Sequence, residues 1–158
     1  MNAINYQKVM EDLIAQSCGE DKVPKLLLHS CCAPCSSYCI ACLAEYFYVT
    51  VFYYNPNIYP PEEYHMRAKE QQRFIREFPV HYPVQFVEGI YDTDKFYAMA
   101  KGMEDIPEGG ERCFACYELR LREAAEYAKA HDFDFFTTTL SISPVSYTHL
   151  RAHETVLD

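Results

Sequence analysis

Four short apolar runs alternating with stretches of helical spacing fix what this chain can become. Lys25-Leu26-Leu27-Leu28-His29-Ser30 reads as a buried strand, and Tyr48 to Tyr54 is a second, dense in β-branched and aromatic residues. Val84 to Glu88 and Phe133 to Thr138 read as shorter strands. Between them the spacing predicts helices over about Ser36 to Tyr46, Glu62 to Phe78 after a proline pair, Asp92 to Met99, and Phe114 to His131. A further amphipathic helix, from about Asn5 to Gln16, precedes the first strand. This alternation predicts an α/β domain built on a Rossmann-like parallel sheet flanked by helices. In such sheets ligands sit beyond the carboxyl ends of the strands. Residues 29–35, 55–58 and 137–141 are therefore expected to line one crevice.

Composition narrows the class. With 158 residues, 49% hydrophobic and 23% charged, the chain fits one domain with a real core and excludes disorder. No apolar run approaches the roughly 18 residues of a membrane span. The opening MNAINYQKVMEDLIAQ lacks the basic start and apolar centre of a secretory signal, so a cytoplasmic protein with free thiols and no membrane partner is expected. The net charge of −9 offers no broad basic face for nucleic acid and leaves room only for a local basic groove. Val145 to Thr155 reads, residue for residue, as a translated transposase sequencing adapter. The expected organisation is thus a single domain over 1–144, incomplete at its carboxyl end, and a non-native tail over 145–158.

Eight cysteines carry the chemistry. Cys31, Cys32 and Cys35 follow the first strand, and Cys113-Phe114-Ala115-Cys116 opens the long helix, so both groups fall where backbone can wrap an ion. A helix amino end also favours thiolate. Two paired sets of thiols suit a tetrahedral zinc or a four-thiolate iron–sulfur cluster, with dithiol redox chemistry and inert burial as the other readings. Adjacency of Cys31 and Cys32 is poor for zinc, which prefers a two-residue spacer, and is better tolerated by a cluster with several iron corners. Cys39 and Cys42, flanked by Ile40, Ala41 and Leu43, read as core residues, and Cys18 as a loop residue without a role.

Taken together, LLLHSCCAPCSSY, FYYNPNIYPPEEYHMR, IPEGGERCFACYELRLREAA and FFTTTLSISP resemble the epoxyqueuosine reductases of the QueH family, across Leu26 to Pro144. The resemblance implies an adenine-nucleotide α-hydrolase-like fold and a reductive deoxygenation of epoxyqueuosine to queuosine at the tRNA wobble position. Carried over by residue, Cys31, Cys32, Cys113 and Cys116 match the ligands of a [4Fe-4S] cluster. Cys35 stands where some members have Asp, a position associated with an additional iron ion. The partners implied are a tRNA carrying epoxyqueuosine and an electron donor. Family members also carry a late cysteine pair, whereas no cysteine follows Cys116 here.

On that reading Tyr54, Asn55, Asn57, Tyr64 and Arg67 border the crevice and are candidates to contact base, ribose or phosphate of a flipped nucleoside. The plainer reading has Asn55 and Asn57 shaping the turn and Arg67 pairing with Glu63 along a helix face. His29, at a strand end beside the cysteines, is a candidate proton donor, against the plainer reading of a satisfied core histidine. The alternative function is a zinc-stabilised tRNA-binding module without catalysis. An ATP-using relative of the same fold is disfavoured, because Cys-Cys-Ala-Pro-Cys stands where a glycine-rich phosphate loop would be needed.

Overall fold

The computed structural model of the chain describes residues 4–19 and 21–142. The expected tail over 145–158 lies outside them. In chain order the elements are α1 (Tyr6–Ser17), β1 (Lys25–His29), α2 (Ala33–Leu43), β2 (Tyr48–Tyr53), α3 (Pro61–Glu77), β3 (Gln85–Glu88), α4 (Thr93–Ala100), α5 (Glu111–Ala130) and β4 (Phe135–Thr138). A short 3-10 turn over Leu140–Ile142 follows.

The four strands form one sheet in the order β3-β2-β1-β4, every pair parallel. Leu27 lies opposite Thr50 on one side and Phe136 on the other. Successive side chains leave opposite faces of a strand, and both faces of this sheet are covered. Leu26, Leu28, Val49 and Val51 pack with Ile40 and Ala44 from α2 and its end, and with Phe74 and Ile75 from α3. Leu27 and Phe52 turn the other way, onto Ala124 and Ala128 of α5. Covering both faces explains why β1 and β2 are nearly uninterrupted apolar runs. Each fully buried leucine among them contributes on the order of 2 kcal/mol.

Two helix starts fall three residues before the positions that the spacing predicts, and both shifts bear on the site. Pro34 occupies the first turn of α2, where its missing N–H costs nothing, so the helix opens at Ala33 with Cys32 as its cap. Helix α5 opens at Glu111 after Gly110, which brings Cys113 into its first turn. Strand order reverses direction between β1 and β4, since β2 and β3 lie to one side and β4 to the other. A crevice opens at such a switch point, and the turn after β1 sits in it.

Candidate metal centre

The turn after β1 is held from below. Ser30 and Ser36 are both fully buried and both donate to Gln71 Oε1 of α3, at 2.9 and 3.1 Å. Asn55 Nδ2 donates to the Ser30 carbonyl at 2.9 Å, so the loop after β2 pins the same turn from the other side. On this platform the sulfurs of Cys31, Cys32 and Cys35 lie within 4.8 Å of one another, the only such group of metal-ligating atoms among the described residues.

The Cys31 thiol donates to Cys32 Sγ at 3.9 Å. That bond, with help from Cys35 and from the Arg67 charge, brings the Cys32 thiol down to about 5. Cys31 is pushed up by the same bond and by burial, and Cys35 rises to about 11, chiefly through burial. One thiolate shared among three sulfurs is the expected behaviour of ligands crowded into one site.

Cys113 and Cys116 stand on the first two turns of α5, which packs along β1 and β4. The Gly109 N–H points at Cys113 Sγ from 3.3 Å. Gly109 reaches that orientation with φ of 92°, in the left-handed region that favours glycine. Cys116 is buried, which raises its thiol pKa, while Arg120 opposes the rise. Arg120 also lowers Cys31, so one guanidinium faces both cysteine groups. The two groups therefore share the carboxyl end of the sheet. Cys113 and Cys116 stand apart from the tight trio.

The remaining candidates divide by environment. His29 is fully buried with Nε2 against the Tyr54 carbonyl at 2.9 Å and Nδ1 against Thr138 Oγ1 at 3.1 Å. Burial, then the Arg120 charge, brings its pKa down to about 4, so the ring is neutral at pH 7 and both nitrogens are engaged. Tyr64 is fully buried and stacks on Tyr91 at 3.9 Å, and Tyr54 is buried with its ring stacked parallel to Phe52. Asn55 braces the turn, as noted. Arg67 pairs with Glu63 at 2.6 Å and lines a cleft of about 680 Å³ that also contains Cys32 and Pro34. Asn57 lines a different cleft, of about 480 Å³, beside Cys113 and Cys116. Cys39 packs against the core, as its apolar neighbours predict, and so does Cys18, expected only as a loop residue; Cys42, expected in the core, is half-buried and not part of that cluster.

Two residues at the site escape a reading by motif. Arg120 continues a four-residue stripe, Cys116, Arg120, Ala124 and Ala128, all buried on one face of α5. A lone arginine in an otherwise small and apolar stripe is the signal that marks it. Gln71 carries no such mark, because only the fold brings it beneath Ser30 and Ser36.

Comparison with known proteins places the chain in a family. The family model described as epoxyqueuosine reductase QueH matches residues 26–154. An epoxyqueuosine reductase QueH of Staphylococcus epidermidis is 43% identical over 145 residues, covering 89% of this chain and 61% of the relative. That of Haemophilus influenzae is 47% identical over 120 residues, covering 75% of this chain and 47% of the relative. That of Acinetobacter baylyi is 43% identical over 127 residues, covering 78% and 55%. The chain thus spans about three fifths of the length of the Staphylococcus relatives it matches. With the family model running through both cysteine groups and the strands that present them, the chain belongs to the epoxyqueuosine reductase QueH family.

Proposed function

We propose that this chain acts as an epoxyqueuosine reductase, converting epoxyqueuosine to queuosine at the tRNA wobble position. The balance is two electrons and two protons taken up, both C–O bonds of the epoxide broken as its two carbons become an alkene, and its oxygen released as one water. The observation that carries the reading is the crowding of Cys31, Cys32 and Cys35 at the switch point of the sheet, in a chain of this family. The donor set fits an iron–sulfur group: thiols from two helix amino ends, a backbone N–H aimed at Cys113 Sγ, and a cation facing both groups. Cys31, Cys32, Cys113 and Cys116 would hold a [4Fe-4S] cluster, and Cys35 an additional iron ion. When bound, such a group supplies electrons and Lewis acidity toward the epoxide oxygen.

The protein's own part is placement. Ser30, Ser36, Gln71 and Asn55 hold the cysteine turn rigid. Arg67, Lys69, Arg73 and Arg76 line the cleft beside Cys32 and give a local basic groove on an acidic chain. Arg67 and Arg73 pair with glutamates of their own helix, whereas Lys69 and Arg76 extend from it exposed. That groove suits the RNA backbone. The sheet order fits kinship with adenine-nucleotide α-hydrolases, and a cytoplasmic setting suits reduced thiols. No helix among the described residues is long and apolar enough to cross a membrane.

The test is anaerobic reconstitution, iron and sulfide quantitation, and incubation with reductant and tRNA carrying epoxyqueuosine. A brown protein that yields a nucleoside lighter by one oxygen supports the reading. A colourless zinc protein that binds the tRNA unchanged would replace it with the zinc-stabilised binding module.

A further inference from the structure

The cleft of about 480 Å³ between α4 and α5 has Asn57, Phe96, Tyr97, Cys113, Cys116 and Arg120 among its lining, with Glu104, Glu108 and Arg112 at the same wall. Two of these carry unspent polar capacity. Arg120 is 5% exposed; among the described residues its bonds to the Cys116 carbonyl and to Asn55 Oδ1 are long, 3.5 Å each, and it also meets the Cys116 thiol and lies over the Tyr117 ring at 5.4 Å. No carboxylate pairs with it there. A buried guanidinium so weakly satisfied is costly unless something else accepts from it. Asn57 Oδ1 is buried and has no hydrogen-bond partner among the described residues. One cleft thus holds a five-donor fork and a bare acceptor, walled by the rings of Phe96 and Tyr97 and bordered by two candidate ligand sulfurs.

We infer that this cleft seats the oxygenated ring of the substrate, with Arg120 donating to the epoxide oxygen and Asn57 accepting from a ring hydroxyl. The inference rests on the proposed reductase reading and deepens it, assigning the ring to the α4–α5 side of the cysteines. The basic groove along α3 is left for the RNA backbone. A ligand with a single polar character would satisfy only one of the two groups. An alicyclic ring with an ether oxygen and a hydroxyl satisfies both, and its carbon skeleton meets the aromatic walls. Asn55 makes the arrangement stiff, because its amide joins Arg120 to the cysteine turn.

The experiment measures binding of anaerobically reconstituted protein to an anticodon stem–loop RNA carrying epoxyqueuosine and to the same RNA carrying guanine. Wild type, Asn57→Leu, Arg120→Gln and Arg120→Lys are compared, with iron content read on each. Wild type is expected to prefer the epoxyqueuosine RNA. Asn57→Leu and Arg120→Gln each reduce that preference by roughly tenfold, the scale of a lost hydrogen bond in a buried site, with guanine-RNA affinity unchanged. Arg120→Lys recovers part of it. Asn57→Leu decides the matter alone if Arg120→Gln fails to fold or loses iron. Preference retained in Asn57→Leu overturns the inference while leaving the reductase reading intact. A wild type without preference overturns both.

Discussion

Gln71 and the two serines above it form a closed set of bonds, since Gln71 Nε2 also donates back to Ser36 Oγ at 2.9 Å. Replacing Gln71 by Leu removes the shared acceptor and the amide donor to Ser36, leaving the two buried hydroxyls only the Cys32 and Ala33 carbonyls of their own turn. Denaturant unfolding should show a loss of roughly 2–3 kcal/mol, more than a surface glutamine costs. His29 belongs to the same class of residue. With its ring nitrogens engaged just past β2 and at the end of β4, His29→Phe should destabilise by roughly 2–4 kcal/mol through the stranded Tyr54 carbonyl and the lost bond to Thr138. The cysteines separate by a different measurement. Alanine at Cys31, Cys32, Cys113 or Cys116 should lower bound iron, whereas Cys39→Ala and Cys42→Ala should leave it at the wild-type level. A Cys39 variant that lost iron would move that residue from the core to the ligand set.

At the level of elements, the turn between β3 and α4 is set by Gly89. A Cβ built there would meet the Tyr54 ring at 2.9 Å and Phe52 at 3.2 Å. Those rings are stacked and buried against α5, so neither can yield cheaply. Gly89→Ala should therefore cost roughly 1–3 kcal/mol and lower the thermal midpoint. The strands were legible in the sequence because burial on both faces writes them as unbroken apolar and β-branched runs. The helix starts were less so: Pro34 reads equally well as a loop stiffener or as a first-turn residue, and only the completed turn decides. The candidate site was legible where chemistry is borne by rare residues, as with Cys31, Cys32 and Cys35, whose sulfurs the fold brings within 4.8 Å of one another. It was illegible where ordinary residues act through distant partners. Tyr64 and Asn57 both lie on the stretch after β2, yet one is buried against Tyr91 and the other reaches a cleft. Nothing local in the sequence distinguishes them.

Across the whole molecule, charge and surface are unevenly spread. Lys69→Gln combined with Arg76→Gln should weaken binding of both the epoxyqueuosine and the guanine stem–loops alike. It should also flatten the salt dependence of log K by about 1 per cation removed. Such uniform loss would separate backbone contact from ring recognition. At the opposite side of the sheet, β4 is the edge strand among the described residues and Phe136 on it is 46% exposed. An apolar edge of this kind invites pairing between chains, so Phe136→Thr should reduce light scattering on concentration or heating. The sheet order also has a consequence in time. The two cysteine groups flank the switch point in space but are about 80 residues apart in sequence. A ribosome adding 5–20 residues per second needs roughly 4–16 s to pass from one to the other. For those seconds a nascent chain displays Cys31, Cys32 and Cys35 without Cys113 and Cys116, a competent trap for whichever soft cation arrives first. On the proposed iron–sulfur reading, correct loading is therefore a race between synthesis and capture.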